Sequence, residues 1–347
     1  LNVVCVDPRI DPLWQQLIEG HPSCVFHTPG WIQALTDTYG WEANAYILLD
    51  ERGAPTAGMH FCHFSDHKGE RIISLPFSDY CDPLVETREQ WDGLFAIIEK
   101  EGHSFFTRCL HNDIPLSDNR LTLAKRAKWH GMNLRADLET IWQGIDSSAR
   151  RAVNKARREG VTIRVANEKA DLRAFFEMHL KVRKYKYRLL AQPYSLLENI
   201  WTQFIETQNG ALLLAVYQDT IIAGTFFLGW KDTFYYKFNA SEPAYMVYRP
   251  SDLLIWEGIQ YAKARGYDHL DFGLSDWDQE GLLQFKRKFM TTEKTISFLQ
   301  CETRQELSPW QAQAVGLFPQ LSALLTDPSV PDAVTEKAGE ILYRFFV

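Results

Sequence analysis

No Cys-x-x-Cys pair occurs among the six cysteines (Cys5, Cys24, Cys62, Cys81, Cys109 and Cys301), and their spacing is irregular. A disulfide framework or cysteine-based zinc site is therefore not expected, and the thiols read as reduced. Long apolar runs are missing as well. The longest, Ala211–Val216 and Ile221–Gly229, are too short to cross a bilayer. Asp7, Arg9 and Asp11 stand where a signal peptide would carry its apolar centre. These absences predict a soluble, cytoplasmic chain. Nor is there an excess of positive charge: the formal net charge is −7, which argues against coating DNA. His60, His63 and His67 are close in sequence, but Met59–Phe64 reads as a strand that sends His60 and His63 to opposite faces. No metal site is expected there.

What is present is a globular composition, 46% hydrophobic and 23% charged, over 347 residues. That is about two domains' worth of chain. Phe, Tyr and Trp make up 13%, which fits aromatic cores or an aromatic-lined cleft. The chain also repeats itself. Ala45–Leu49, Ala57-Gly58, two further strands and a helix closed by Gly102 have counterparts in Ala211–Ala215, Ala223-Gly224, two strands and a helix closed by Gly266. The offset is 166 residues at the first two landmarks and 164 at the last. Each unit reads as an antiparallel meander, a helix and one further strand (Ser104–Leu110 and Asp268–Leu274), an α/β layer arrangement.

Helix signals agree with this reading. In Arg88–Glu101 the residues Trp91, Leu94, Phe95 and Ile98 share one face. Asp252–Arg265 forms the second helix, with Ser251 as its expected cap. The basic segment Ser147–Glu159 reads as a linker helix ended by Gly160, and residues 302–347 as short helices and loops between prolines. Positive charge is concentrated in three places: Arg150–Arg158, the five cations between Lys181 and Arg188, and Lys286–Lys288. Local attraction to an anionic ligand and a solvated helix face both account for such clusters. Arg151, Lys155 and Arg158 recur at helical spacing and are candidates to meet phosphate.

Several fragments carry a family resemblance. Ser74–Leu84 (SLPFSDYCDPL), Arg150–Ala156 (RRAVNKA), Tyr236–Ser241 (YKFNAS), Asp271–Gly273 and Gly281–Lys286 (GLLQFK) follow one another in the order found in the FemAB-like group, and the chain resembles it over residues 25–300. The resemblance implies an α/β (α+β) fold of two tandem GNAT-like domains, each a mostly antiparallel sheet flanked by helices. The expected divisions are 1–145, 146–301 and a C-terminal segment 302–347. It further implies transfer of an aminoacyl or acyl group to an amine of a cell-envelope precursor such as peptidoglycan. Aminoacyl-tRNA or an acyl-CoA would be co-substrate, no resident cofactor is implied, and a peripheral membrane contact is compatible. The long helical hairpin of some members is missing. Two alternatives stand beside this reading, a CoA-dependent N-acetyltransferase and a non-catalytic protein of envelope or exopolysaccharide assembly. A CoA donor is disfavoured because Tyr245–Ser251 has no glycine and Pro250 lacks an amide hydrogen.

Period-two alternation places Tyr235, Lys237, Asn239 and Ser241 on one strand face. On the next strand it turns Leu270, Phe272 and Leu274 inward and His269, Asp271 and Gly273 outward. Both faces read equally as a substrate wall or an ordinary half-exposed sheet; Tyr80, in the first fragment, is a further substrate-binding candidate. Phe285-Lys286 is the catalytic candidate. If Glu280–Phe289 is helical, Lys286 lies about 40° from Leu282, inside an apolar arc. The resemblance implies that this lysine stabilises the oxyanion of a tetrahedral intermediate; snorkelling to water is the other reading.

Overall fold

The computed structural model describes residues 2–302 and 307–347. The chain divides into two compact units, one of Leu1–Trp129, Lys294–Gln320 and Val347, the other of His130–Glu293 and Leu321–Phe346. This differs from the contiguous divisions at 145/146 and 301/302, and the reason is a strand. β12 (Thr292–Cys301), far along the chain, pairs antiparallel with β5 (Ser104–Cys109) of the first unit, Ser297 opposite Cys109.

In the first unit β1 (Asn2–Val6) is followed by helices α1 (Pro12–Gly20) and α2 (Pro29–Tyr39). The meander β2 (Ala43–Leu49), β3 (Pro55–Asp66) and β4 (Gly69–Ile73) leads into α3 (Arg88–Glu101) and β5. Strand order is β1-β2-β3-β4-β5-β12, antiparallel throughout except for parallel β4 and β5. β6 (Thr122–Asn133) contains the division between the units. α3 forms because Thr87 and Gln90 build a capping box and one face is apolar. Trp91, Leu94, Phe95 and Ile98 are buried against Phe61, Ile72 and Phe105 of the sheet, as their spacing predicts.

The second unit repeats this plan. After α4 (Leu138–Gly144) and α5 (Ser147–Arg158) come β7 (Thr162–Val165), α6 (Lys169–Lys181), α7 (Tyr194–Ile200) and the meander β8 (Gly210–Tyr217), β9 (Thr220–Trp230) and β10 (Thr233–Ser241). α8 (Pro250–Ala264), β11 (His269–Ser275) and α9 (Glu280–Arg287) complete it. Strand order is β11-β10-β9-β8-β7, again antiparallel except for the last pair, β10 with β11. Both sheet helices end in left-handed glycines, Gly102 and Gly266. α5 is not a linker: Ala149, Val153 and Ala156 belong to one buried cluster with Leu254, Phe227 and Phe272. The expected cap of α8 is also corrected. Pro250 opens the helix after a left-handed Arg249, and Ser251 lies inside it, buried, with its hydroxyl 2.9 Å from that of Ser241.

C-terminal to these elements, α10 (Pro309–Leu325) and α11 (Asp332–Leu342) follow. α10 is seventeen residues long and runs through Pro319 rather than stopping there. Of the segment expected as short helices and loops, residues 303–306 lie outside the described residues.

The repeat extends to packing. Gly58 on β3 and Gly224 on β9 occupy equivalent register positions, opposite Ile47 and Leu214. A Cβ at Gly58 would come within 2.5 Å of Leu17 on α1, and one at Gly224 within 2.7 Å of Phe175 on α6. In both units the absence of a side chain lets a helix lie directly on the sheet. Gly58→Ala and Gly224→Ala should each lower unfolding free energy by about 1–3 kcal/mol through overpacking. Gly144→Ala, where nothing lies within 4 Å of the new methyl, is the control. Denaturant titration reads all three, and equal midpoints would show that the close approach is not a constraint.

Candidate active site

In the second unit β10 and β11 are in parallel register only over Thr233–Tyr235 and His269–Asp271. Among the described residues their pairing ends there, although β10 continues to Ser241 and β11 to Ser275. Two local irregularities accompany this separation. On β10 the register with β9 shifts between Tyr236 and Phe238, leaving Lys237 as the extra residue of a bulge. A one-residue shift exchanges faces, so the expected single row breaks. Asn239 and Ser241 turn to the α8 side, where Ser241 meets Ser251 and Asn239 Nδ2 donates to Thr225 Oγ1 at 2.9 Å. Phe238 turns toward α6, with its ring 5.8 Å from His179. Tyr235 precedes the bulge and is buried.

On β11 the alternation also departs from expectation. Asp271 is buried, not outward, and its Oδ1 accepts the Gly273 N–H at 2.6 Å. Gly273 has φ +63°, a left-handed conformation that costs a glycine little. The strand bends back on its own side chain here.

Lys286 converges on that bend. α9 ends at Arg287 rather than Phe289, and its buried face is Leu283 and Lys286, so Lys286 sits central to the inward face. At 3% exposure it does not snorkel. Its ammonium donates to the carbonyls of Gly273 at 3.2 Å and Leu274 at 3.0 Å. Phe285, half-buried, packs edge-on to Phe289 at 5.9 Å.

Three further groups surround this point that the sequence did not single out. His130 is buried, with Nε2 3.1 Å from a carboxylate oxygen of Glu293, which also accepts from Arg287 at 2.9 Å. Burial first, and then the positive charge of Lys286, hold the His130 pKa below its ordinary value. His130 Nδ1 and the fully buried Ser275 Oγ have no hydrogen-bond partner among the described residues. Buried polar atoms without partners are uncommon in native proteins. They mark this end of β11 as one place, among the described residues, where buried polar groups exceed internal partners. No pattern in one sequence announces them, since His130 and Glu293 are 163 residues apart.

At the start of α8, Asp252 is buried with its carboxylate 3.2 Å from Arg249 Nε. Burial raises its pKa, opposed by Arg249 and Lys288. On α5, Arg151 and Arg158 are exposed and Lys155 is half-buried, all opposite the buried alanine face. Arg151 donates to Ser147 Oγ at 3.1 Å.

The first-unit candidate has different surroundings. Tyr80 is buried, its ring edge-on to Phe26 and to His111, each at 5.4 Å. Its fragment has a clear structural duty. Asp82 Oδ1 accepts the backbone N–H groups of Leu110, His111 and Asn112, and Trp31 Nε1 donates to Ser78 Oγ. Burial still pushes the Asp82 pKa up to about 6.

Comparison with known proteins follows the same lines. Residues 146–287 match the family model described as an acetyltransferase (GNAT) domain. These residues are similar to a GNAT domain. Among solved structures the chain is similar to FemX, at 12% identity and a TM-score of 0.64, covering 86% of this chain and 97% of that one. It is also similar to a tandem GNAT protein from the clavulanic acid biosynthesis pathway, at 10% identity and TM-score 0.57, covering 88% and 99%. The structure of L-PGS from Bacillus licheniformis matches at 12% identity and TM-score 0.55, covering 91% and 98%. No curated protein sequence matches. At such identities the structural likeness concerns the fold, two GNAT-like units in tandem within a FemAB-like architecture.

Within this GNAT-like unit, Lys286→Met would remove both ammonium–carbonyl bonds at nearly constant shape. The expected loss is about 1.5–3 kcal/mol of unfolding free energy, because a buried and a part-buried carbonyl lose a charged donor. Urea denaturation measures it; an unchanged midpoint would mean that the carbonyls are satisfied without the lysine.

Proposed function

We propose that the chain is a FemAB-like acyltransferase that forms an amide by moving an aminoacyl or acyl group onto an amine of a cell-envelope precursor, such as a peptidoglycan intermediate. The GNAT domain supports acyl transfer as the reaction class. The observation that carries the choice of donor is the start of α8. A CoA diphosphate bound at a helix N-terminus needs bare amides and positive potential. Here Pro250 has no N–H, the Ser251 hydroxyl is engaged with Ser241, and the buried Asp252 carboxylate stands in the first turn. An acyl ester without a diphosphate at this point, such as aminoacyl-tRNA, suits these groups better.

Lys286 is the proposed catalytic residue, with Phe285 packing beside it. In acyl transfer to an amine the nitrogen lone pair attacks the ester carbonyl, the oxygen gains negative charge, and collapse expels the alcohol as the amine loses its proton. A cation held among buried groups stabilises that oxygen most as its charge develops. Asn239, Ser241, Tyr235, Lys237, Asp271 and Tyr80 remain proposed substrate-binding residues. The buried ones act by shaping the surrounding backbone.

A CoA-dependent N-acetyltransferase is the second reading, favoured by the description of the family model. Thermal shift separates the two, since a ligand of the native state raises the melting temperature by mass action. An aminoacyl-tRNA mimic or a UDP-linked peptidoglycan precursor should raise it and acetyl-CoA should not; the reverse result would establish the second reading. On the substrate so identified, Lys286→Met should lower turnover about 10²-fold or more. A folded variant with wild-type turnover would refute the catalytic assignment.

Arg151 and Lys155 are proposed to meet phosphate of donor or acceptor. Substituting both by Ala should weaken binding and flatten its dependence on salt concentration, since fewer screened charge contacts remain. Unchanged affinity and salt slope would assign the α5 face to solvent.

A further inference from the structure

β3 carries histidines on both faces, and each joins a different group of ligating side chains. The inward group is His27, His60 and Cys81; the outward one is His63, Glu70 and His103. Both come from the first unit, and only the second offers metal-binding atoms suitably disposed. In the inward group His27 Nε2 is 2.8 Å from the Asp82 carbonyl, while its Nδ1 accepts the Cys24 backbone N–H at 3.1 Å. The lone pair that a metal would need on His27 is thus occupied. His60 Nε2 lies 3.2 Å from the Phe26 carbonyl and 3.3 Å from Cys81 Sγ. A neutral hydrogen-bonded pocket accounts for this group.

The outward group is built by three neighbouring strands. β3 and β4 pair with His63 opposite Ile72 and Ser65 opposite Glu70, and β4 pairs in parallel with β5, Arg71 opposite Ser104. His103 immediately precedes β5, so the three residues arrive together through sheet register rather than sequence proximity. His63 Nε2 is 3.0 Å from Glu70 Oε2, and the His63 and His103 rings are 4.8 Å apart at 38°. One ligand atom from each residue lies within 4.8 Å of the others. Ser65 Oγ donates to the other carboxylate oxygen of Glu70. That hydrogen bond orients the carboxylate as an outer-shell partner does at a metal.

We propose that His63, Glu70 and His103 form a binding site for a divalent transition metal of the zinc type. Two imidazoles and a carboxylate match the donors that Zn²⁺ takes, with bonds of about 2.0–2.2 Å. Ligand atoms at such distances in a tetrahedron are about 3.3–3.5 Å apart; the His63–Glu70 pair is at 3.0 Å and all three atoms lie within 4.8 Å, so rotamer adjustments of about an ångström bring them to an ion. His63 and Glu70 are partly exposed, which gives an ion access from solvent and leaves a coordination position for water. Mg²⁺ is disfavoured, because it prefers oxygen ligands in octahedral geometry. A bound ion would fasten the β3–β4 hairpin to the start of β5. The site is independent of acyl transfer and stands or falls separately from it.

The test is calorimetric titration of the full chain, freed of metal by chelation, with zinc chloride and then with magnesium chloride. One Zn²⁺ per chain is expected, with Mg²⁺ producing no comparable binding. His63→Ala, at the surface, and His103→Ala, half-buried, should each weaken Zn²⁺ binding about tenfold or more. Cys81→Ser, which removes the thiol of the inward group, should leave the titration unchanged. Added Zn²⁺ should raise the melting temperature of the wild type and not of the double histidine variant. Absence of binding, equal affinity for Mg²⁺, or binding untouched in the double variant would each overturn the proposal. Loss of binding in Cys81→Ser alone would do so too, by moving the ion to the inward group.

Discussion

A strand that outruns its partner leaves carbonyl groups that something else must satisfy. β11 continues to Ser275 after its register with β10 ends at Asp271, and the ammonium of Lys286 donates to the Gly273 and Leu274 carbonyls beyond that point. The arrangement has consequences in both directions. α9 must present a lysine at the centre of its buried face, which would be costly without those acceptors. In turn, β11 can keep an irregular end without donors from β10. The separation of β10 and β11 is therefore held by side-chain chemistry as well as by strand twist. The bulge at Lys237 and the left-handed Gly273 are the backbone adjustments that accompany it.

This constraint also explains where sequence pattern stopped being a sufficient guide. Alternation works while each strand keeps a regular partner, and Trp91, Leu94, Phe95 and Ile98 on α3 show the same for helical periodicity. The repeat was legible because matching strand order requires matching landmarks. Gly58 and Gly224 share a register and a packing role as well as an offset. One inserted residue on β10 reverses every later side chain, however, and that insertion has no mark in composition. Asp271 misleads for a related reason: the bend at Gly273 gives its carboxylate a local N–H to accept, so burial is tolerated. The interleaved units were illegible because β12 selects β5 by long-range pairing.

Around the candidate site the same distinction holds. Lys286 could be found because a cation within an apolar stripe contradicts helical amphipathicity, and the contradiction is visible in a short window. His130, Glu293 and Ser275 could not, since each is unremarkable among its sequence neighbours. His130 is made informative by what surrounds it: a carboxylate on one nitrogen, no partner among the described residues on the other, and a buried ammonium close enough to disfavour its protonated form. The Ser74–Leu84 fragment shows the converse. It was singled out with a substrate in view, whereas Asp82 gathers three backbone N–H groups at the end of β5 and Ser78 accepts from Trp31.

Charge placement links these observations to chemistry. The chain is net acidic, so attraction of an anionic substrate depends on where its cations are exposed and where its anions are buried. On α5 the cations project from a helix whose other face is alanine and valine packed in the core, so their direction is fixed by burial. At α8 the situation is inverted. The helix N-terminus, ordinarily the strongest local attraction for phosphate, carries a proline without an amide hydrogen and a buried carboxylate paired with Arg249. The dipole there already acts on a negative group supplied by the protein, and adding a diphosphate would place like charges together in a poorly solvated position. The second unit thus combines separated strands β10 and β11 and a buried cation near the bent β11 with an α8 start that offers a diphosphate few amides and an opposing carboxylate. If the donor is held by groups other than the α8 amides, as proposed above, the exposed basic face of α5 is where its phosphates would find positive charge without a competing carboxylate.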